Sequence, residues 1–306
     1  MRNGHKIRVK LLAKDFREAH TITTFAGNRG FILGEFSQSY LISIDNKLFS
    51  LRPKEKKVKL LYETKENNFF WHMTKSKDTI FIQEYGKPPT GIYCSQNLDN
   101  WKLLVTNLDI DRRSRHFHNV VWDSFDNKLI VTLGDGNLIR VAIYNGKWYS
   151  LYRGAWQFVP IVVLKDRIVL GMDSGIVRGG IGIYYKEEKK WEFIFLKWRG
   201  VKYAQMCDLK YFNGYWIAAL GTPQAVLISK DLKSWYSIHI ESYSPRFNGY
   251  MRVETSEDSI VACTGKSLVL LSKQELEEFF KKPIMVPYKA YIGRLRGLGF
   301  ILKKIF

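Results

Sequence analysis

Four tryptophans constrain this chain more than any other feature. Trp101, Trp148, Trp191 and Trp235 follow one another at gaps of 47, 43 and 44 residues. A fixed period in this range marks a repeated unit that cannot bury its apolar face alone and must stack on its neighbours. Each tryptophan comes after a short apolar run: Gly91-Ile92-Tyr93, Val141-Ala142-Ile143-Tyr144, Gly182-Ile183-Tyr184 and Val226-Leu227-Ile228. Each also leads into another strand-like run, as in Lys102-Leu103-Leu104-Val105 and Tyr236-Ser237-Ile238. Upstream, Lys47–Leu51 leads to Val58–Leu61, the same unit with valine in the tryptophan slot, and downstream Leu268–Ser272 repeats the third strand.

A second series keeps the same period: Phe31–Gly34, Ile80–Gln83, Leu129–Gly134, Ile168–Gly171, Trp216–Gly221 and Ile260–Gly265. A turn precedes most of these runs, at Gly27-Asn28, Lys77-Asp78, Asp126-Asn127, Lys165-Asp166, Asn213-Gly214 and Glu257-Asp258. Asn, Asp and Gly accept the positive φ of tight hairpins. Each unit therefore reads as four strands, and about six units of roughly 45 residues predict an all-β, six-bladed propeller. A β-solenoid or sandwich is the alternative. Closure is expected through Ile7–Leu12 pairing with the last blade. Residues 1–272 read as the propeller and 273–306 as a short helix with a basic, apolar tail. Ser272 is the expected cap of that helix, with Glu275 completing a capping box and Pro283 ending it.

Composition narrows the partners. No run of about 18 apolar residues predicts a membrane-spanning helix. Met1–Lys6 leads into no apolar stretch with a cleavage site, so no secretory signal is expected. Cys94, Cys207 and Cys263 are far apart within apolar runs and read as buried free thiols. A cytoplasmic location fits both points. The formal net charge is +19, which favours anionic partners, although scattered lysines also describe an ordinary soluble surface. From Lys281 to Phe306 there are seven Lys or Arg and no acids. That tail reads as a segment for an anionic membrane surface, a protein partner, or the propeller's own flank.

Two stretches carry a family resemblance. Ser95-Gln96-Asn97-Leu98-Asp99-Asn100-Trp101 and Ser229-Lys230-Asp231-Leu232-Lys233-Ser234-Trp235 resemble the Asp-box of the sialidase-like (BNR-repeat) β-propeller superfamily, one residue short and without its glycine. The segment from Arg115 to Asp135 is also similar to one found in such propellers. The resemblance implies a turn in which an amide or carboxylate caps backbone N–H groups while tryptophan tucks beneath. It further implies carbohydrate as the ligand class. The family's early Arg-Ile-Pro motif is not found, so no catalytic residue is carried over, and a shared fold does not transfer an activity.

Site candidates follow from the propeller reading. The innermost strands would present His20, Trp71, His72, His116, His118, Gln157, Gln205, Tyr250 and Arg252. His116 and His118 are two apart and would share a strand face. They suit acid–base work, sugar hydrogen bonds or a metal. His-x-His alone is a weak metal signature, spacing fixes no third ligand, and neither metal nor cofactor is expected. The second strands end in acids, Glu35, Glu84, Asp135 and Asp173, of which Glu84, Asp135 and Asp173 are the catalytic candidates for glycoside hydrolysis. Arg115, Arg178 and Arg252 suit a bidentate grip on an acidic substrate. Trp71, Trp122, Trp156 and Tyr250 are candidates for stacking on sugars, while the periodic tryptophans read as packing.

Three functions compete. The first is binding or hydrolysis of a carbohydrate, possibly an acidic one. The second is a non-catalytic propeller scaffold that holds a protein or glycan, with the tail contacting a membrane surface or partner. Nucleic acid is not the expected partner, since charge alone speaks for it and no helix-turn-helix, zinc-finger or aromatic RNA motif is visible. Phosphate-loop and dinucleotide motifs are absent as well.

Overall fold

Turn chemistry divides the chain into short strands that pair with their sequence neighbours. A computed structural model describes residues 5–12, 19–136, 138–173, 179–196, 205–222, 224–240, 251–263 and 268–281. The fold is a six-bladed β-propeller of antiparallel sheets, whose contacts group into two units, Met1–Gly154 and Ala155–Phe306.

The first unit opens with a hairpin of β1 (Lys6–Leu12) and β2 (Ala19–Ala26). Its first blade is β3 (Gly30–Phe36), β4 (Ser39–Ile44), β5 (Lys47–Arg52) and β6 (Lys57–Glu63). The second is β7 (Phe69–Lys75), β8 (Ile80–Tyr85), β9 (Gly91–Ser95) and β10 (Lys102–Thr106), followed by a single helical turn, α1 (Asn107–Ile110). The third is β11 (His116–Asp123), β12 (Lys128–Gly134), β13 (Ile139–Asn145) and β14 (Lys147–Arg153).

The second unit holds β15 (Phe158–Val163), β16 (Arg167–Met172), β17 (Gly180–Tyr185) and β18 (Lys190–Phe195). Its next blade is β19 (Gln205–Phe212), β20 (Tyr215–Thr222), β21 (Gln224–Ser229) and β22 (Tyr236–Ile240). The last has three described strands, β23 (Arg252–Thr255), β24 (Ser259–Cys263) and β25 (Leu268–Ser272), and leads into helix α2 (Lys273–Lys281).

Among the described strands Ile7–Leu12 pairs with β2, and its Ile7 and Val9 pack on Ile42, Ile44 and Leu51 of the first blade. One expectation changes close by. Phe31–Gly34 belongs to the first strand of its blade, not the second. The reversal lies at Ser37-Gln38, both at positive φ (49° and 62°), a two-residue turn with no Gly or Asn to announce it. Glu35 therefore stands on β3, one strand earlier than Glu84, Asp135 and Asp173.

The first strands of neighbouring blades converge and are tied by side chains. Ser43 accepts from the Phe70 N–H at 3.1 Å, Thr74 from the Trp122 N–H at 2.8 Å, and Gln83 donates to the Phe117 carbonyl at 2.8 Å. In the second unit Asp208 accepts from the Val253 N–H at 2.9 Å. Between blades lie apolar layers such as Phe70, Ile80 and Ile82 with Leu41 and Leu48.

The two tryptophan turns are near copies. Ser95 Oγ accepts from the Leu98 N–H at 3.0 Å, Asn97 Oδ1 from the Asp99 and Asn100 N–H groups at 3.1 Å, and Trp101 Nε1 donates to the Leu98 carbonyl at 2.9 Å. Ser229, Asp231 and Trp235 repeat this around Leu232, with the Asp231 bonds at 2.8 and 2.7 Å. The glycine slot is filled by Leu98 and Leu232 at φ 67° and 63°, each burying its side chain in a core. Burial alone would raise the Asp231 pKa, but its backbone bonds from Ser234 and Lys233 outweigh that and hold it below the ordinary value. A depressed folded pKa contributes stability above the unfolded value that is lost as pH falls through the folded one. Asp231→Ala is expected to cost about 1 kcal/mol at neutral pH, the low end for an exposed cap. In thermal melts that difference should shrink as pH drops below the normal carboxylate range; a difference independent of pH would remove the charged cap from the account.

The other periodic tryptophans also pack within their blades, Trp148 on Tyr144 at 5.0 Å and Trp191 on Phe193 at 5.6 Å. The cysteines are free, but Cys94 and Cys207 are half-buried and Cys263 is exposed, so burial of all three does not hold. The capping box at Ser272 and Glu275 forms as expected, with the Ser272 N–H donating to Glu275 Oε2 at 2.7 Å and the Glu275 N–H to Ser272 Oγ at 3.2 Å. No described helix is long and apolar enough to cross a membrane. Residues 282–306, including Pro283 and the basic tail, lie outside the described residues.

Candidate functional site

One end of each blade is made by the start of the first strand and the end of the second. In the first unit that end is lined by rings. Arg29 lies 4.1 Å over Phe69, which stacks on Phe31 at 5.4 Å and meets Tyr85 at 5.1 Å. Tyr85, the last residue of β8, packs on His116 at 4.0 Å, and His116 stacks on His118 at 5.2 Å with 29° between planes.

A β-bulge produces the histidine pair. His116 opposes Gly134 and Phe117 opposes Leu133, but the next pair is Asn119 with Thr132, leaving His118 as the extra residue. Bulges re-aim a side chain, so strict alternation is not what brings these rings together. The same bulge recurs at Trp71 on β7 and at Cys207 on β19. Space for the second ring comes from Gly134: a Cβ there would lie 1.8 Å from His118 Nε2.

His116 is only 6% exposed and His118 4%. His116 Nδ1 is 3.3 Å from the Gly86 carbonyl, and its Nε2 is 3.8 Å from Asp135 Oδ2. Gly86 is placed by Asn68, which donates to the Lys87 carbonyl at 3.1 Å and accepts from the Lys87 N–H at 2.7 Å. Its φ of 143° and the Asn68 amide 2.1 Å from where a Cβ would stand admit only glycine. Burial, partly offset by the Asp135 carboxylate and the Gly86 bond, holds His116 below its ordinary imidazole value. Asp135 follows β12 at φ 50°, with its side chain 44% exposed. Arg115 is exposed, and its N–H donates to the Gly134 and Asp135 carbonyls at 3.4 and 3.3 Å.

The structure thus brings together Arg115, His116, His118 and Asp135. His72 is the next residue after the bulge on β7, half-buried, with Nδ1 3.3 Å from Gln83 Oε1. Glu84 is enclosed rather than open to a ligand. It is 1% exposed and accepts from the Thr64 hydroxyl, Asn68 Nδ2 at 2.8 Å, the Gly91 N–H at 2.8 Å and the Tyr93 hydroxyl at 3.2 Å. Its acceptor positions are committed to its own blade and to the loop that enters it. Burial and this carboxylate together push the Tyr93 phenol up.

In the second unit the Asp173 N–H donates to the Gln157 carbonyl at 2.8 Å, ending β16 against the start of β15. Gln205 begins β19 and Arg252 begins β23, both half-buried. Burial, with Asp173 adding, pushes the Cys207 thiol up to about 12, so it is inert rather than nucleophilic. Tyr250 and Arg178 lie outside the described residues, and His20 sits exposed on β2, the second strand of the N-terminal hairpin.

Of the sugar-stacking candidates Trp71 is buried, while Trp122 and Trp156 are half-buried against neighbouring rings. Trp71 is 2% exposed and packs edge-on against Tyr85, Trp122 stacks on Phe81 at 5.8 Å, and Trp156 lies 4.3 Å from Phe193. Tyr85 and Arg29 are the residues that sequence reasoning missed. Tyr85 directly follows Glu84, so the series of second-strand ends pointed to the right place and to the wrong neighbour.

No family model matches this chain, and no curated protein matches it in sequence. Solved structures do. The extracellular domain of BT4673 from B. thetaiotaomicron, a proposed hybrid two-component system, aligns at 11% identity with a TM-score of 0.60, covering 88% of this chain and 38% of that one. Another structure of that extracellular domain, described as part of a one-component system, aligns at 12% identity and 0.59, covering 83% and 34%. A chain of the nidogen–laminin complex aligns at 10% and 0.57, covering 76% and 89%. This chain therefore spans little more than a third of the bacterial chains it resembles. At such identities the likeness is one of fold, and the fold it supports is the β-propeller.

Proposed function

We propose that the protein is a non-catalytic recognition propeller that binds an acidic carbohydrate through the first unit's ring-lined end. One juxtaposition carries the reading. Arg115, an exposed residue whose backbone N–H reaches the Gly134 and Asp135 carbonyls, adjoins His116 of the Tyr85–His116–His118 ring cluster, and the Asp135 carboxylate lies 3.8 Å from His116 Nε2. Arginine grips carboxylate or sulfate groups in a fork, an aspartate accepts from sugar hydroxyls, and a ring edge gives the apolar contact. The Asp-box-like turns support the carbohydrate class, since they are the feature shared with sialidase-like propellers. The locked Glu84 supports binding over hydrolysis, because glycoside cleavage needs a second reactive carboxylate near the first. The solved structures that share the fold are an extracellular domain of a two-component system and a chain of a protein complex.

The test is a glycan array together with a chromogenic-glycoside screen of the purified full chain at moderate salt. Retention of acidic glycans without turnover is expected. It should weaken about 10-fold or more in Arg115→Ala, as loss of a charged hydrogen bond requires. Turnover that disappears in Asp135→Asn would replace the binding reading with an enzymatic one. A blank array would move the search to a protein ligand, the reading that the nidogen–laminin neighbour favours.

A further inference from the structure

We propose that His116, His118 and Asp135 form a binding site for a divalent transition metal of the zinc class, with at least one coordination position open to solvent. The ligand atoms of these three residues all lie within 4.8 Å of one another. Small adjustments bring such a set around one ion, for which Zn–N and Zn–O distances are about 2.0–2.2 Å.

The hydrogen-bond pattern of His116 carries the argument. The Gly86 carbonyl can only accept, so His116 Nδ1 donates to it, which in the neutral ring leaves the lone pair on Nε2. That Nε2 is buried and has no hydrogen-bond donor. What it faces, at 3.8 Å, is a carboxylate oxygen, itself an acceptor. A cation between the ring and the carboxylate would satisfy the buried His116 Nε2. The bond from Nδ1 to a backbone carbonyl is also how metal-ligating histidines are oriented.

Three further features act together. The bulge at His118 sets the second imidazole against the first. Gly134 leaves the room that the second ring occupies. Asp135, at positive φ and partly exposed, completes the set from the loop and leaves a path for an ion to enter. Two imidazoles and one carboxylate, without thiolate, suit zinc, cobalt or nickel better than calcium or magnesium, which prefer all-oxygen sets. Three protein ligands leave an open fourth position. Arg115 and Arg140 are the cationic groups that sense this cluster, and they oppose the ion's charge. Their presence favours an anion as the fourth ligand. The metal inference stands apart from the carbohydrate reading, because it concerns these three side chains and a bare ion.

Titration of the chelator-stripped full chain with Zn²⁺ by calorimetry should show one ion per chain. Co²⁺ should produce the intense visible bands of a low-coordinate site. His116→Ala, His118→Ala and Asp135→Asn should each remove both signals, while His239→Ala, on β22, keeps them. Asp135→Asn changes one atom on an exposed loop, so it decides the matter if a histidine variant fails to fold. Gly134→Ala leaves all three ligands in the chain yet should weaken Zn²⁺ about 10–100-fold by displacing the His118 ring. Absence of binding to the parent chain, or binding that persists in Asp135→Asn and both histidine variants, would overturn the site. Running the glycan array on stripped and zinc-loaded protein separates the two proposals, since either can fail while the other holds.

Discussion

Glu84→Ala is expected to destabilise the first unit by about 3–5 kcal/mol, since hydrogen bonds to a charged group contribute about 1.5–3 kcal/mol each and several are lost together. The carboxylate is buried and accepts from Thr64, Asn68, the Gly91 backbone and Tyr93. Its loss strands four donors, and each buried donor left unsatisfied costs about 1–3 kcal/mol where water cannot reach it. Glu84→Gln keeps the shape but turns an NH₂ group toward donors that previously met oxygen, so it should recover only part of the loss. Urea unfolding followed by tryptophan fluorescence reads both. A loss below about 1 kcal/mol, or intact stability with an altered ligand response, would return Glu84 to the functional site.

Ending the chain at Ser272 should cost on the order of 3–6 kcal/mol relative to ending it at Lys281, from about 1.5–3 kcal/mol per buried large apolar side chain. Helix α2 inserts Leu276, fully buried, into the layer formed by Phe212, Tyr215, Ile217 and Ile260. Phe280 stacks on Tyr215 at 5.2 Å and lies under the Lys230 ammonium at 4.6 Å. Without the helix that face meets water. Thermal melts of the two truncations, with exposed apolar surface followed by a hydrophobic dye, give the comparison. Equal melting temperatures would show the helix to be an ornament on the last blades. Leu276→Ala in the full chain should reproduce about 2–4 kcal/mol of the effect, the usual cost of emptying a buried leucine site.

The periodic tryptophans and the turn residues determined the blade count, the antiparallel pairing and nearly every strand. Those features rest on local chemistry: Asn213-Gly214 sits at positive φ in a tight hairpin, and Ser272 with Glu275 caps a helix, wherever such residues occur. One turn was illegible: Ser37-Gln38 adopts a turn that its residues do not favour, because the strands on either side pair in a register that demands it.

The histidine pair was visible in the sequence; how its partners meet it was not. His116, His118, Arg115 and Asp135 stood out by residue type and position in the repeat. That Asp135 returns to within 3.8 Å of His116 Nε2 depends on a left-handed residue after β12. That Tyr85 packs on His116 depends on how neighbouring blades converge. Whether an acid is enclosed or open to solvent was likewise decided by packing. Glu84 and Asp135 end equivalent strands, yet one is enclosed by four donors and the other reaches solvent. Sequence determined the repeating unit because a hairpin's energetics lie within a few residues. Tertiary structure decided the site because burial and the direction of a lone pair are set by chain segments distant in sequence.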